Sequence, residues 1–342
     1  MDPHLIELPR KILVGKGVIK KVQSICDDLG IDGSALILTG PHTQKFADKM
    51  IKHIEMDYHK EIIESLSKHT IKRMESLAKR FNIVLSVGGG RVIDTGKLVA
   101  LRSDIPFISI PTAPSHDGIA SERVSIKEGN GKPHSIAGKP PIAIIADIKI
   151  LRNAPYRLIA SGCADIISNR TAVNDWRLGK HKGEYFSEFA VDLALHAAEM
   201  VIRSAELIRK RKEKGIRNLV KAIITSGISM SMAHSSRPAS GAEHMFSHAL
   251  DLLGSPALHG EQCGVGSIVM AYLQGDDWEK IRDALKSVGA PVNAKELGIS
   301  RDMAIEALLK ARKIRKRYTI LNHIRFNRAR AVEALKATGV ID

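Results

Sequence analysis

The sequence predicts an α/β domain at the N-terminus followed by an all-α domain. Three observations lead to that expectation. Short β-rich apolar runs alternate with helical patterns as far as Asp147. From Pro155 onward the apolar spacing is mainly helical, with no further convincing strand. The length, 342 residues, exceeds what one core usually serves, so about two domains are expected. The change of pattern puts the boundary between Leu151 and Pro155, giving domains of residues 1–152 and 153–342.

The elements follow in order. KILVG from Lys11 reads as a strand, and Val18, Ile19, Val22, Ile25, Cys26 and Leu29 recur at helical spacing after it. ALILTG from Ala35 is a buried strand, followed by a helix over His42 to Ile54. A short strand is expected at Ile62 and Ile63, then a helix from Ile71 to Phe81. IVLSVGGG from Ile83 is the clearest passage from strand to glycine turn, with helix over Asp94 to Leu101. FISIPT from Phe107 and IAIIAD from Ile142 are further strands. Strands alternating with helices argue for a parallel sheet covered on both faces. Between Ala120 and Pro141, charges interspersed with Gly129, Gly131, Pro133, Gly138 and Pro140 suggest a β-hairpin or a mobile loop.

Composition narrows the class. Hydrophobic residues at 44% and charged residues at 26% suit a globular protein and are too apolar for a disordered one. A chain near this length buries roughly three quarters of its unfolded surface, so its stability does not require disulfides. Cys26, Cys163 and Cys263 are odd in number and far apart, which reads as reduced thiols in a cytoplasmic protein. The opening MDPHLIELPRKILVG lacks the apolar stretch of a signal peptide. No apolar run approaches the ~18 residues of a membrane span, so an integral membrane protein is not expected.

The net charge of +15 raises the possibility of nucleic acid as a partner. The charge is spread along the chain, however, with two local clusters, IRKRKEKG from Ile208 and ARKIRKRY from Ala311. Aromatic residues make up only 4%, and no nucleic-acid module is recognisable. A generally basic surface, or an anionic small substrate, is the simpler account, and no nucleic-acid partner is expected.

Three segments bear chemistry. Gly88-Gly89-Gly90 follows a buried strand and opens a helix. Missing side chains admit a diphosphate to the backbone, and the helix N-terminus offers N–H donors. A glycine turn needed only for packing is the competing account. SIPTAPSHDG from Ser109 follows the next strand, so Thr112, Ser115 and Asp117 are expected beside the glycines, where open parallel sheets bind ligands. In GAEHMFSHALDLLGSPALHGEQCG from Gly241, His244 and His248 share a helix face, and His259 follows a break at Gly254, Ser255 and Pro256. Histidines so spaced can converge on a metal. In APYRLIASGCADIISN, Asp165 lies among apolar residues, where a carboxylate needs a partner. A helix cap or an ion pair would satisfy it as well as a metal would.

The order GGGRVIDTGK, IPTAPSHDGIASERVSI, IADIKILRNAPYRLIASGCADIISN, SGAEHMFSHALD and LHGEQCGVG resembles the NAD-linked, metal-dependent polyol dehydrogenase family. That family includes glycerol dehydrogenase, iron-containing alcohol dehydrogenases and dehydroquinate synthase. The likeness runs from near Lys11 to the C-terminus and is greatest to the archaeal branch acting on glycerol 1-phosphate. It implies a dehydroquinate synthase-like fold, with a nucleotide-binding α/β domain, a helical domain and the active site between them. By resemblance, Asp165, His244 and His259 hold one divalent metal, with zinc expected and iron or nickel compatible. Gly88, Gly89, Gly90, Arg91, Asp94, Thr112, Ser115 and Ser121 line NAD(H) or NADP(H). Asp117 and His248 face the substrate as catalytic candidates. Asp165 touches the substrate side of the metal.

The implied reaction is reduction of dihydroxyacetone phosphate to sn-glycerol 1-phosphate, for archaeal-type membrane lipid backbones, by a homo-oligomer. Arg237, seven residues before His244, is the candidate for the phosphate, because the dehydroquinate synthase branch carries an arginine there for its acidic substrate. A surface arginine is the alternative. The competing enzymes are a glycerol dehydrogenase acting on the unphosphorylated alcohol and a lyase of the dehydroquinate synthase kind. Asp165 speaks against the lyase, whose metal carboxylate is usually Glu. Thr39 and Gly40 end the second strand with no acid nearby to repel a 2′-phosphate, so both NADH and NADPH are expected to serve.

Overall fold

The computed structural model describes residues 6–127 and 133–342. The first five residues, part of the segment read as lacking an export signal, and Gly129 and Gly131 lie outside the described residues. The chain forms two compact units. One runs to Ile126 and resumes over His134–Leu158, and the other covers Ile159–Asp342.

The first unit is built on a six-stranded sheet. Its strands are β1 (Lys11–Gly15), β2 (Ser34–Thr39), β3 (Asp57–Ile62), β4 (Ile83–Gly88), β5 (Phe107–Pro111) and, after a hairpin, β8 (Ala143–Asp147). Their order is β1-β8-β5-β4-β2-β3, with every pair parallel. The hairpin is β6 (Arg123–Lys127) with β7 (Pro133–Ala137), a separate two-stranded sheet. Helices α1 (Val22–Asp28), α2 (Gln44–Ile51), α3 (Lys68–Ala78), α4 (Gly90–Ser103) and α5 (Ile148–Arg152) complete the unit.

Alternation along the strands explains the two covered faces. In β2, Ala35 and Ile37 join a core with Leu85, Val87, Ile108 and Ile145, on the side of Val22, Ile25, Ala47 and Met50. Leu36 and Leu38 point the other way, to Val84, Phe107, Met74 and Ile93. Strands buried on both faces read as continuous apolar runs, which is why they were legible.

Three elements differ from expectation. The first helix is broken, with a 3-10 turn at Val18–Lys21 leading into α1. The backbone N–H groups of Gly17 and Ile19 donate to the Asp147 carboxylate at 3.0 and 3.3 Å, which sets that turn. Strand β3 begins five residues before Ile62, because an exposed edge strand carries polar side chains and shows no apolar pattern. Helix α3 begins at Lys68, capped by Ser67, whose hydroxyl accepts from Thr70 N at 3.0 Å.

The second unit is helical, and no strand appears in it among the described residues past Asp147. It holds most of α6 (Tyr156–Ile167), then α7 (Asn169–Lys180), α8 (Glu188–Arg203), α9 (Ala205–Arg209) and α10 (Glu213–Ala233). There follow α11 (Ala242–Leu252), α12 (His259–Gln274), α13 (Trp278–Ser287), α14 (Ala294–Leu297), α15 (Arg301–Ala311), α16 (Ile320–His323) and α17 (Arg328–Ala337). No helix among the described residues is long and apolar enough to cross a membrane. Close packing of α12 on α6 depends on glycine. A Cβ on Gly260 would stand 2.1 Å from the Ser161 carbonyl oxygen, and one on Gly264 2.9 Å from the Ala164 methyl. These two glycines, one helical turn apart, let the start of α12 settle against the turn that carries Asp165.

Candidate active site: a glycine loop and a histidine–carboxylate cluster

In the first unit, β4 ends at Gly88 and α4 starts at Gly90. The adjacent β5 ends level with it, Pro111 opposite Gly88, and Thr112 N donates to the Gly88 carbonyl at 2.9 Å. Both loops therefore leave the C-terminal edge of the sheet side by side, as ligand-binding loops do in this architecture. The three glycines are not equivalent. A Cβ on Gly88 would meet Val92 at 2.6 Å, and one on Gly90 would meet His116 Nε2 at 2.0 Å, so packing alone demands glycine at both. A Cβ on Gly89 would meet nothing within 4 Å, and its φ of −83° suits any residue. The fold does not require glycine at 89, whereas a diphosphate approaching the backbone does. Gly89→Ala is expected to leave thermal stability intact and to raise the KM for the dinucleotide at least tenfold, roughly one charge-assisted contact. A KM equal to that of the parent would remove the glycine loop from the cofactor site.

The other residues expected at the cofactor fall into two groups. Thr112 and Ser121 are buried and Ser115 is half-buried, with Ser121 Oγ accepting from Arg123 N at 3.3 Å. Arg91 is exposed and its guanidinium reaches back to the Glu64 carbonyl. Asp94 is buried within α4, where its Oδ1 accepts from the fully buried Lys97 at 3.2 Å. Lys97 also donates to the Arg123 carbonyl at 2.7 Å, fastening β6 to α4. Asp117 opens a 3-10 turn, and its carbonyl accepts from Ala120 N and Ser121 N. His116, unremarked in the sequence, fills the space that Gly90 and Gly118 vacate, its Nδ1 accepting from Gly118 N at 2.9 Å.

In the second unit, Asp165, His244, His259 and Cys263 bring their donor atoms within 4.8 Å of one another. Asp165 Oδ1 lies 3.6 Å from His244 Nε2 and 3.9 Å from His259 Nε2. The surrounding bonds fix both imidazoles. The Glu243 carboxylate accepts from His244 Nδ1 at 3.0 Å, which leaves the Nε2 lone pair toward Asp165. Ser247 Oγ donates to Gln262 Oε1 at 2.6 Å and therefore accepts from His259 Nδ1 at 2.9 Å. The Gln262 amide is itself oriented by the bond from Nε2 to the Ala257 carbonyl. His259 thus also presents Nε2. Two Nε2 lone pairs and one carboxylate converge on one point, the donor set a divalent cation takes with positions left open. Cys263, one turn below His259, places Sγ 3.6 Å from His259 Nε2. Burial, then the charges of Asp165 and Glu243, hold its thiol well above the usual range.

Glu243 and Asp175 were not singled out in the sequence. Glu243 is fully buried and also accepts from Gly241 N and, at 2.9 Å, from Thr171 Oγ1. Burial pushes its carboxyl up, but the bond from His244, the His244 charge and the Gly241 N–H outweigh that and hold it below the usual range. Asp175 accepts from Ala242 N at 2.7 Å and Ile320 N at 2.8 Å, tying α7 to the starts of α11 and α16. Burial, reinforced by Glu243 and opposed by those N–H groups, pushes its carboxyl up to about 7. A lone acid at either position carries no sequence signal for these roles.

His248 is buried, and its ring stacks on His259 at 5.7 Å. Arg315 Nη2 donates to its Nε2 at 2.9 Å. Arg237 is buried as well, with Nε and Nη2 engaged and Nη1 without a hydrogen-bond partner among the described residues. Nε donates to Glu184 at 2.6 Å, Nη2 joins the same carboxylate, and Nη2 donates to the Tyr318 carbonyl at 2.8 Å. It clamps the Glu184 and Tyr318 loops together.

A parallel sheet with paired loops at its C-terminal edge, and a helical unit with a histidine–carboxylate cluster, are the parts that a metal-dependent dehydrogenase requires. The family model for iron-containing alcohol dehydrogenase matches residues 13–155. Among solved structures, a probable glycerol dehydrogenase from Sinorhizobium meliloti superposes with a TM-score of 0.80 at 21% identity, covering 98% of each chain. Glycerol dehydrogenase from Schizosaccharomyces pombe gives 0.81 at 19%, covering 99% of this chain and 91% of that one. Curated relatives are more similar. The NAD(P)+-linked glycerol-1-phosphate dehydrogenase of Pyrococcus abyssi is 49% identical over 99% of this chain and 100% of its own length. That of Methanosarcina mazei is 50% identical over 93% and 92%. The chain belongs to the glycerol-1-phosphate dehydrogenase family.

Proposed function

We propose that the chain reduces dihydroxyacetone phosphate reversibly to sn-glycerol 1-phosphate, with NADH or NADPH as hydride donor, in the supply of archaeal-type lipid backbones. The observation that carries this reading is the 49% identity with the Pyrococcus abyssi enzyme across the full length of both chains. The glycine loop, with Thr112, Ser115 and Ser121, is the proposed cradle for the dinucleotide, which supplies the hydride. Asp165, His244 and His259 are the proposed ligands of one divalent ion, zinc first, which when bound polarises the substrate carbonyl. His248 and Asp117 are the proposed proton donors to the nascent alkoxide. The bond from Arg315 requires His248 Nε2 to accept, so the ring's own proton sits on Nδ1 in this arrangement. We infer a cytoplasmic protein with no nucleic-acid partner, supported by three buried free thiols and by the spread of the charge, and, from the family resemblance, a homo-oligomer.

The test is oxidation of NADH and of NADPH with dihydroxyacetone phosphate and with dihydroxyacetone, and the reverse reaction with glycerol and glycerol 1-phosphate. The phosphorylated substrates are expected to win clearly. The two dinucleotides should differ less than about a hundredfold in kcat/KM, because β2 ends at Thr39, whose hydroxyl is bound to Thr43 and the Val87 carbonyl, with no carboxylate following. Turnover of glycerol above that of glycerol 1-phosphate would transfer the chain to the glycerol dehydrogenase reading.

A further inference from the structure

The basic run ARKIRKRY ends in a loop between α15 and α16 that is pinned against the start of α11. Arg317 donates from Nη1 to the Ser240 carbonyl and from Nη2 to Ser236 Oγ at 2.9 Å. Tyr318 gives its carbonyl to Arg237. Ile320 N is held by Asp175. Beyond these anchors, Arg315 reaches His248, the residue one turn along α11 from His244 and stacked on His259.

We propose that Arg315 binds the phosphate of the substrate and sets the preference for a phosphorylated over an unphosphorylated ketone. The proposal rests on the dehydrogenase reading above. A three-carbon substrate with its carbonyl at the Asp165–His244–His259 cluster carries its phosphate one carbon away, so the cation that recognises it must border the cluster. Arg315 does so through His248, and its planar fork suits an oxyanion better than an ammonium would. Arg237, Arg315 and Arg317 gather here, with Glu184 on Arg237, Glu243 and Asp165 on His244, and Asp175 on Ile320 N. Withdrawal of the Arg317 guanidinium from water, then the charges of Arg315 and Arg237, press its pKa down to about 9. A dianion relieves that repulsion. Arg237, whose Nε and Nη2 are held by Glu184 and Tyr318, acts as the clamp behind the loop.

The experiment compares kcat/KM for dihydroxyacetone phosphate with that for dihydroxyacetone in the parent, Arg315→Ala, Arg315→Lys and Arg237→Ala, with inorganic phosphate as competing ligand. In Arg315→Ala the ratio of the two constants should fall about ten- to a hundredfold, and inhibition by inorganic phosphate should weaken in step. Arg315→Lys should lie between it and the parent, because charge is kept and the fork lost. A ratio in Arg315→Ala within about twofold of the parent overturns the proposal. So does an equal fall with both ketones, which would mark Arg315 as a support for His248. So does a collapse of the ratio in Arg237→Ala alone, which would return the phosphate to Arg237. A parent enzyme that prefers dihydroxyacetone would sink the glycerol-1-phosphate reading itself, whereas each of the other outcomes leaves it standing.

Discussion

Replacing His244 with alanine should abolish both metal retention and turnover. His244 supplies one of two Nε2 donors within 4 Å of Asp165, and its removal leaves a buried carboxylate facing a single imidazole. One nitrogen and one oxygen from protein rarely hold a divalent ion against dialysis. Losing roughly 4 kcal/mol of stabilisation of the developing alkoxide corresponds to about a thousandfold in kcat/KM. Elemental analysis after dialysis, with far-UV circular dichroism to confirm the fold, reads the first effect, and dinucleotide oxidation reads the second. A dialysed variant with the parent's metal content and rate would take His244 out of the site, and the assignment of Asp165 and His259 would go with it.

A smaller but more diagnostic loss is expected from Glu243→Gln. Glu243 touches no substrate in this reading; it acts by holding His244, and removing such a partner typically weakens metal affinity ten- to a hundredfold. The substitution is mild. A glutamine oxygen can still accept from Gly241 N and His244 Nδ1, and its amide can donate to Thr171 Oγ1, whose proton can turn to the Ser168 carbonyl, also 2.9 Å away. What disappears is the negative charge that makes the imidazole a stronger donor. Competition for zinc with a chromophoric chelator measures the change. The saturated enzyme should recover most of its kcat, which a general folding defect would not allow. Affinity within twofold of the parent would reduce Glu243 to a packing residue.

Much of this architecture can be read from residue order. Strands β2, β4, β5 and β8 are buried on both faces, and such strands announce themselves as unbroken apolar runs. Edge strand β3, Asp57–Ile62, was visible only at its apolar end, because its exposed faces place no demand on hydrophobicity. The cluster was legible where spacing encodes geometry, as in His244 and His248 on one helical face. It was illegible where tertiary packing does the work. Nothing links Asp175 to Ala242, or Arg315 to His248, across the sequence between them. Arg237 is similar: its place before His244 suggests the phosphate, and only the fold shows its Nε and Nη2 held by Glu184 and Tyr318.

The packing of Gly260 and Gly264 on α6 has a thermodynamic side. It brings Asp165 against donors that lie far along the chain, on α11 and α12, so only the folded molecule owns the complete cluster. An ion seated there is a removable cross-link joining three helices. A ligand selective for the native state adds about 2.7 kcal/mol to its stability at a hundred times the dissociation constant. On the metal assignment proposed above, thermal stability is expected to rise with the free concentration of metal, and a chelator that stops the chemistry is expected to loosen the helical unit as well.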